Sequence, residues 1–373
     1  MARIDLSDTA GGPGRLLRWL HFDGVLLLAV LTLIALGLAI LYSAAGENVG
    51  MVYRQGMRLV IALGVMALVA QVPAPQLRRL TPWLYLGGLL LLVLVLVMGE
   101  VGKGAQRWLD LGLVRFQPSE VMKLAVPMAV AWYFAARPLP PRARDLMVAG
   151  LIVGVPAALI AKEPDLGTAL LVALAGFFVI FLSGVRYRVL ALLFGLALAA
   201  LPVLWHFMHG YQRDRVLTFL NPERDPLGAG YHIIQSMIAV GSGGIYGKGW
   251  LNGTQAQLDF LPERSTDFIF SVFGEEFGLL GAGVLLALYV FIVLRGLHIA
   301  LKAQDTYARL LAGSLSLTFS VYVFVNVGMV IGLLPVVGVP LPLVSYGGTS
   351  MVTLLAAFGM LMSIHSHRRL VAH

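Results

Sequence analysis

Residues 211–270 read YQRDRVLTFLNPERDPLGAGYHIIQSMIAVGSGGIYGKGWLNGTQAQLDFLPERSTDFIF. The stretch is rich in charge, Gly and Pro, and it separates two long apolar runs at 189–207 and 268–294. A connection of this length between apolar runs is a place where a protein puts function. Arginines, carboxylates, amides and aromatic side chains converge where a bilayer would meet water, a chemistry suited to a charged ligand on a lipid tether.

Outside that stretch the chain is dominated by apolar residues. Of 373 residues 59% are hydrophobic and 12% are charged, against a charged share of about 25% in soluble globular proteins. Mean hydropathy is +0.85. A bilayer core about 30 Å thick takes about 20 apolar residues per helix. Ten runs qualify, near 25–42, 59–72, 84–98, 121–136, 146–161, 168–183, 189–207, 268–294, 308–334 and 343–364, the second and third being short. The expected fold is an all-α integral membrane protein with ten transmembrane helices. Residues 1–373 form a single polytopic membrane domain, and a large extracytoplasmic loop at 208–267 lies between helices 7 and 8.

With no cysteine, disulfides, thiolate metal sites and a cysteine nucleophile are excluded. The polar, basic stretch before the first apolar run lacks a cleavable signal pattern, so that run is expected to stay as a helix. A net charge of +8 would suggest nucleic acid in a soluble chain. Here it resolves into orientation. Arg78, Arg79, Arg137, Arg142, Arg144, Arg186, Arg188, Arg295, Lys302 and Arg309 occupy alternate short connections, and Arg3, Arg15, Arg18, Arg368 and Arg369 lie in the tails. By the positive-inside rule both termini are cytoplasmic in a multi-pass protein of the cytoplasmic membrane. The long loop, the 100–117 connection and the short 162–167 connection then face outward. No short-period repeat and no linker divides the chain.

Several residues sit where lipid would not tolerate them alone. Glu120 and Lys123, spaced i, i+3, share a helix face and can pair while pointing into the bundle. Such a pair is either a site or a structural ion pair that sets helix register. Glu275 and Glu276 pose the same choice. Asp267 directly precedes an apolar run, where a carboxylate can cap free helix amides. It can equally act as a general base or hold a divalent cation. Asp165, in PDLGTALL, also stands at a cap position. Arg107, Arg115, Arg213, Arg215, Arg224 and Arg264 all fall in outward loops. Guanidinium groups match the oxygens of a diphosphate in two-point geometry, or they contact lipid headgroups. Trp108, Tyr211, Tyr231 and Trp250 read as interfacial anchors or as sugar platforms. Residues 231–240 are too short to span and read as an amphipathic or re-entrant piece. GSGG followed by GKG lacks the spacing of a phosphate loop, so nucleotide and nucleic acid are rejected as ligands.

KGAQRWLDLGLVRFQPSEVMK, PDLGTALL, YQRDRVLTFLNPERDPLGAGYHIIQS, GSGGIYGKGWLNGTQAQLDFLPERSTDFIF, GEEFGLLG and NVGMVIGLLPVVGVPLPLVSYGGTSM together resemble the SEDS family of bacterial cell-wall polymerases, its elongation branch more than its division branch. The resemblance covers nearly the whole chain in order. It implies a peptidoglycan glycosyltransferase that polymerises lipid II at the outer face of the cytoplasmic membrane. It also implies a class B penicillin-binding transpeptidase and other elongation machinery proteins as partners, among membrane lipids. The family's essential aspartate falls on Asp267, and its cavity implicates Trp108, Gln117, Ser119, Glu120, Lys123 and Asp165. With Arg115, Arg213, Arg215 and Arg264 these form the expected substrate-binding set, and a divalent cation, Mg²⁺ or Mn²⁺, is expected at Asp267. A departure is Lys162-Glu163 before Pro-Asp, where relatives often carry uncharged or amide residues. Two other classes remain in view: a flippase for a lipid-linked precursor, suggested by intramembrane charge and by Pro/Gly-broken runs, and a scaffold that activates a transpeptidase.

Overall fold

In the computed structural model of the chain, residues 21–102, 105–110, 115–208, 210–224, 228–257, 261 and 263–367 are described. The tails that carry Arg3, Arg15, Arg18, Arg368 and Arg369 lie outside them. Each of the ten apolar runs coincides with a helix: α1 (Gly24–Ala44), α2 (Val49–Ala70), α3 (Ala74–Met98), α4 (Pro118–Ala135), α5 (Ala143–Lys162), α6 (Leu166–Leu182), α7 (Tyr187–Phe207), α11 (Ile269–Leu301), α12 (Thr306–Val330) and α13 (Thr349–Ser366). Among the described residues seven of these, α1, α2, α3, α5, α11, α12 and α13, are long and apolar enough to cross a membrane. The helix α6 and the first part of α7 are apolar but shorter. Between α7 and α11 stand three further helices, α8 (Gly210–Leu220), α9 (Ala229–Ser242) and the single turn α10 (Thr254–Gln257).

The bundle is apolar outside as well as inside. Leu28, Val60, Leu68, Trp83, Val97, Phe194 and Val284 are all exposed, a distribution that suits hydrocarbon rather than water. At the centre α12 is buried along most of its length and packs on α11, α6 and α4. Helix α13 closes against α2. Some polar groups inside find partners: Thr81 Oγ lies 2.9 Å from the Tyr307 hydroxyl, and the Tyr289 hydroxyl donates to the Pro342 carbonyl at 2.7 Å. At one end of the bundle Asp23 caps α1 and pairs with Arg295 of α11 at 2.8 Å. There too Arg137 pairs with Asp145 at 3.0 Å.

The opposite end carries the connections that the charge distribution leads one to expect on the outward face. Residues 100–117 contain three short antiparallel strands, β1 (Glu100–Gly102), β2 (Ala105–Asp110) and β3 (Arg115–Phe116), with Glu100 opposite Trp108 and Leu109 opposite Phe116. A reading by apolar runs contains no strand there, because these strands mix polar and apolar residues without a long alternation.

Within the long loop, α9 packs along α11 and α12, and the segment after it returns against a break in α11. Gly278 takes φ 63° and ψ −163°, a conformation accessible essentially to glycine alone. A broken helix frees main-chain groups that lipid cannot satisfy. The returning segment supplies them. The amides of Lys248 and Gly249 donate to the carbonyls of Glu275 and Glu276 at 3.0 and 2.9 Å, while the amides of Leu279 and Leu280 donate to Gly244 and Ile245 at 2.9 and 3.1 Å. The two backbones touch closely enough that a Cβ on Gly243 would run into the Gly274 carbonyl. Glu275, fully buried, completes the interlock: its Oε1 accepts from Lys248 Nζ at 2.7 Å and from the Thr254 amide and hydroxyl at 2.9 Å, which also caps α10.

Replacing Gly278 by Ala should cost about 1–3 kcal/mol from backbone strain alone, with a collision against the Gly247 amide in addition. A thermal melt of the detergent-solubilised chain should show a lowered midpoint. An unchanged midpoint would mean that the break does not depend on glycine.

Candidate functional site

Asp267 lies on the turn that leads into α11, and its main chain is latched from three directions. The Tyr346 amide donates to the Ser265 carbonyl at 2.8 Å, and Ser345 Oγ donates to the Thr266 carbonyl at 2.6 Å. Asn326 of α12, fully buried, donates from Nδ2 to the Asp267 carbonyl at 2.9 Å and to the Val339 carbonyl at 2.8 Å. Two of the sequence alternatives can now be separated. Helix α11 starts at Ile269 with Phe268 in the cap position and no side-chain cap hydrogen bond, so capping does not account for Asp267. Its side chain is partly exposed at the polar rim. The backbone of Gly338 comes up beside it, since a Cβ there would lie 3.6 Å from Asp267 Oδ2.

Asp165 does cap its helix. Oδ1 accepts from the Thr168 amide at 3.2 Å. The other oxygen, Oδ2, accepts from Gln117 Nε2 at 3.3 Å and lies 3.7 Å from Arg107 Nη1. Arg107 also donates to the Pro164 carbonyl at 2.6 Å and the Glu163 carbonyl at 3.4 Å. Strand β2 and the 163–165 turn are thereby tied together. Glu163 itself is 1% exposed, and neither carboxyl oxygen has a hydrogen-bond partner among the described residues. Burial and the neighbouring Asp165 carboxylate push its pKa up to about 8, against the pull of Arg107.

On α4, Lys123 Nζ donates to Glu120 Oε1 at 2.7 Å, both side chains being buried. Ser119 Oγ and Glu120 Oε2 are buried without a partner among the described residues. The Lys123 ammonium stands 5.5 Å from the centre of the Tyr322 ring and interacts electrostatically with Asp165. Tyr322 lies four residues before Asn326 on α12, and one helical turn therefore joins the Lys123 pair to the latch under Asp267. Beneath Lys123 is a small pocket between α4, α11, α12 and α13, lined largely by apolar side chains such as Phe319, Leu354 and Phe358.

The remaining expected residues are more scattered. Trp108 is half-buried in β2, and Arg115 stands in β3 with its side chain outside the described ones. Arg213 donates to the carbonyls of Trp205 and His206 at 3.0 and 2.6 Å, at the end of α7. Arg215 reaches the Val336 carbonyl at 3.4 Å, and Arg264 holds the Ala44 carbonyl at the end of α1 at 2.7 Å. These three hold main-chain carbonyls at separate points of the rim, while Gln117, Ser119, Glu120, Lys123 and Asp165 form one neighbourhood with Arg107 and Glu163. Tyr322, Asn326 and Ser345 were not singled out by sequence reasoning. The signal for Asn326 is an amide inside the apolar run VYVFVNVGMV.

Among the described residues no three His, Cys, Asp or Glu form a group that could hold a metal ion. The donor set at Asp267 is a single carboxylate beside main chain. Such a set would give a hard cation one oxygen ligand, the others being left to water or substrate.

A family model described as FTSW_RODA_SPOVE, cell cycle protein, matches residues 16–370. The chain belongs to this family. It is 52% identical over 353 residues to "Peptidoglycan glycosyltransferase MrdB" of Escherichia coli K12, covering 94% of this chain and 95% of that protein. It is 36% identical over 366 residues to "Probable peptidoglycan glycosyltransferase FtsW" of Geobacter sulfurreducens, covering 92% and 95%. Among solved structures it superposes on a chain of a peptidoglycan synthase complex that coordinates polymerization and crosslinking, with TM-score 0.82, 35% identity and coverage of 94% and 99%. The rod shape determining protein RodA of Thermus thermophilus matches with TM-score 0.71, 32% identity and coverage of 93% and 97%. The apolar helices and this family membership make the chain a multi-pass membrane protein.

Replacing Asn326 by Ala would leave two buried carbonyls without their donor, at a cost of roughly 1–3 kcal/mol. The thermal midpoint should fall. Proteolysis within 263–268 should also speed up as the turn under Asp267 loosens. An unaltered cleavage rate would show that the latch does not hold the turn.

Proposed function

We infer that this chain is a peptidoglycan glycosyltransferase that polymerises lipid II at the outer face of the bacterial cytoplasmic membrane during elongation and shape maintenance. The ten apolar runs support ten spans, and the basic residues on alternate connections support cytoplasmic termini with the Asp267 rim outside. The observation that carries the chemistry is Asp267 itself, a partly exposed carboxylate on a turn latched by Asn326, Ser345 and Tyr346 and not engaged in capping its helix.

The reaction has two demands: a weak sugar nucleophile must lose a proton, and a diphosphate must leave with its charge. At the first, the Asp267 carboxylate accepts the proton of the acceptor's C4 hydroxyl as that oxygen attacks the donor's anomeric carbon. At the second, Lys123 supplies positive charge from the bundle side, with Arg107, Arg115, Arg213, Arg215 and Arg264 around the rim. A divalent cation bound at Asp267, Mg²⁺ or Mn²⁺, would add charge neutralisation on the diphosphate. Single displacement inverts the α-linked donor to a β-linked product without a covalent enzyme intermediate. Gln117, Ser119, Glu120, Asp165 and Trp108 are assigned to substrate binding. The exposed apolar faces of the helices suit the polyprenyl tail.

The interior charges support polymerisation over translocation. Glu120, Lys123, Asp165, Glu275 and Glu276 all lie within a few turns of the rim-side ends of α4, α6 and α11, whereas a flippase needs charge accessible from both faces. A class B penicillin-binding transpeptidase, with other elongation proteins, is the proposed partner.

Asn occupies nearly the volume of Asp but is not a comparable base. Purified Asp267→Asn should melt like the wild type and form glycan from lipid II at least roughly 10²–10⁴-fold more slowly. Polymerisation at the wild-type rate would remove both the base and the charged-ligand roles.

A further inference from the structure

Glu163 is a buried titratable group for which the proposed chemistry has no use. Its main chain is fixed as the end of α5, where its amide donates to the carbonyls of Leu159 and Ile160 at 3.2 and 3.1 Å. Its side chain is buried with both oxygens lacking partners among the described residues. The charged groups around it are Asp165 on its own turn, Arg107 from β2 and, past Asp165, Lys123 with Glu120 from α4. Lys162, the preceding residue, is exposed, and its ammonium is left to solvent. With the solvated Lys162 left out, the charges balance only if Glu163 is neutral, since Glu120 is matched by Lys123 and Asp165 by Arg107. A third carboxylate would be a buried charge without a counterion, which is strongly disfavoured.

The weak point of the arrangement is Arg107. It already grips the main-chain carbonyls of residues 163 and 164, and its approach to Asp165, 3.7 Å, is the longest of its contacts there. An ionised Glu163 would compete for the same guanidinium from the same turn. Asp165 would then lose the partner that holds it against Gln117.

We propose that Glu163 is a positioning residue of the outward pocket: as a neutral carboxylic acid it leaves Arg107 to Asp165, and its ionisation withdraws Arg107 and disables the pocket on the alkaline side. This rests on the glycosyltransferase reading for its activity readout but not for its proton. In the folded chain the carboxyl titrates near 8, so at pH 9 about a tenth of the molecules keep the proton. The sign for stability is separate. Because the folded value lies above the ordinary carboxylate value, the folded state holds a proton that the unfolded state has lost. Stability is therefore full below about pH 4.5, declines as pH rises toward 8, and changes no further above that.

The experiment measures lipid II polymerisation and thermal midpoint for wild type, Glu163→Gln and Glu163→Ala between pH 5 and 9.5. The wild-type rate should fall about tenfold from pH 7 to pH 9 relative to either neutral variant's own ratio over that interval. The wild-type midpoint should fall relative to both variants between pH 5 and 8 and run parallel to them above. Superimposable midpoint curves overturn the proposal whether or not any polymer forms. A wild-type midpoint that titrates while the three rate profiles share one shape also overturns it, by showing that the proton is held but positions nothing. Absence of polymer from every protein at every pH, with titrating midpoints, refutes the glycosyltransferase reading and the positioning role together and leaves only a buried acid.

Discussion

A main chain inside a hydrocarbon layer has no water to turn to, and each element at the polar rim meets this constraint. The break in α11 at Gly278 is its sharpest instance. Four carbonyl and amide groups freed by the break are answered by four groups from residues 244–249, so that two irregular segments form one hydrogen-bonded unit. That unit anchors the middle of the long loop against α11. Glu275 strengthens the join through Lys248 and Thr254 without leaving its own charge unmatched.

The same constraint explains how a carboxylate is presented at the rim. The turn before α11 would have unpaired carbonyls at Ser265, Thr266 and Asp267. Tyr346, Ser345 and Asn326 take one each, and the Asp267 side chain is spared from bonding its own helix. Asn326 belongs to α12, which also carries Tyr322 beside Lys123. A rigid helix thus sets the relation between the two charged neighbourhoods, an arrangement suited to chemistry that tolerates little misplacement.

Much of this was legible in the residues. Apolar runs located ten of the thirteen α-helices among the described residues, because exclusion from water imposes length and composition directly on sequence. Even the two short runs correspond to helices of 22 and 25 residues, α2 and α3. Their extra turns contain Arg54, Arg58, Arg78 and Arg79, which apolarity alone would cut off. The i, i+3 spacing foretold the Glu120–Lys123 pair, since helix geometry makes it local. The strands of the 100–117 connection were not legible, as their pairing depends on residues too few to show a period. Nor did charge sign reveal that Arg213, Arg215 and Arg264 would spend donors on main-chain carbonyls, because a guanidinium in a loop looks alike whether it meets a helix end or a phosphate.

By itself, then, the chain of residues determined which segments are helices, the family to which they belong and which side chains are too polar to face lipid, all being properties of composition and short-range spacing. Tertiary structure alone decided that Asp267 leaves its helix uncapped, that Asp165 is shared between a cap, Gln117 and Arg107, and that Glu163 is sealed without a hydrogen-bond partner among the described residues. Those outcomes depend on groups separated by tens to hundreds of residues. Only the packed bundle brings them within hydrogen-bonding distance, or shuts them off from it.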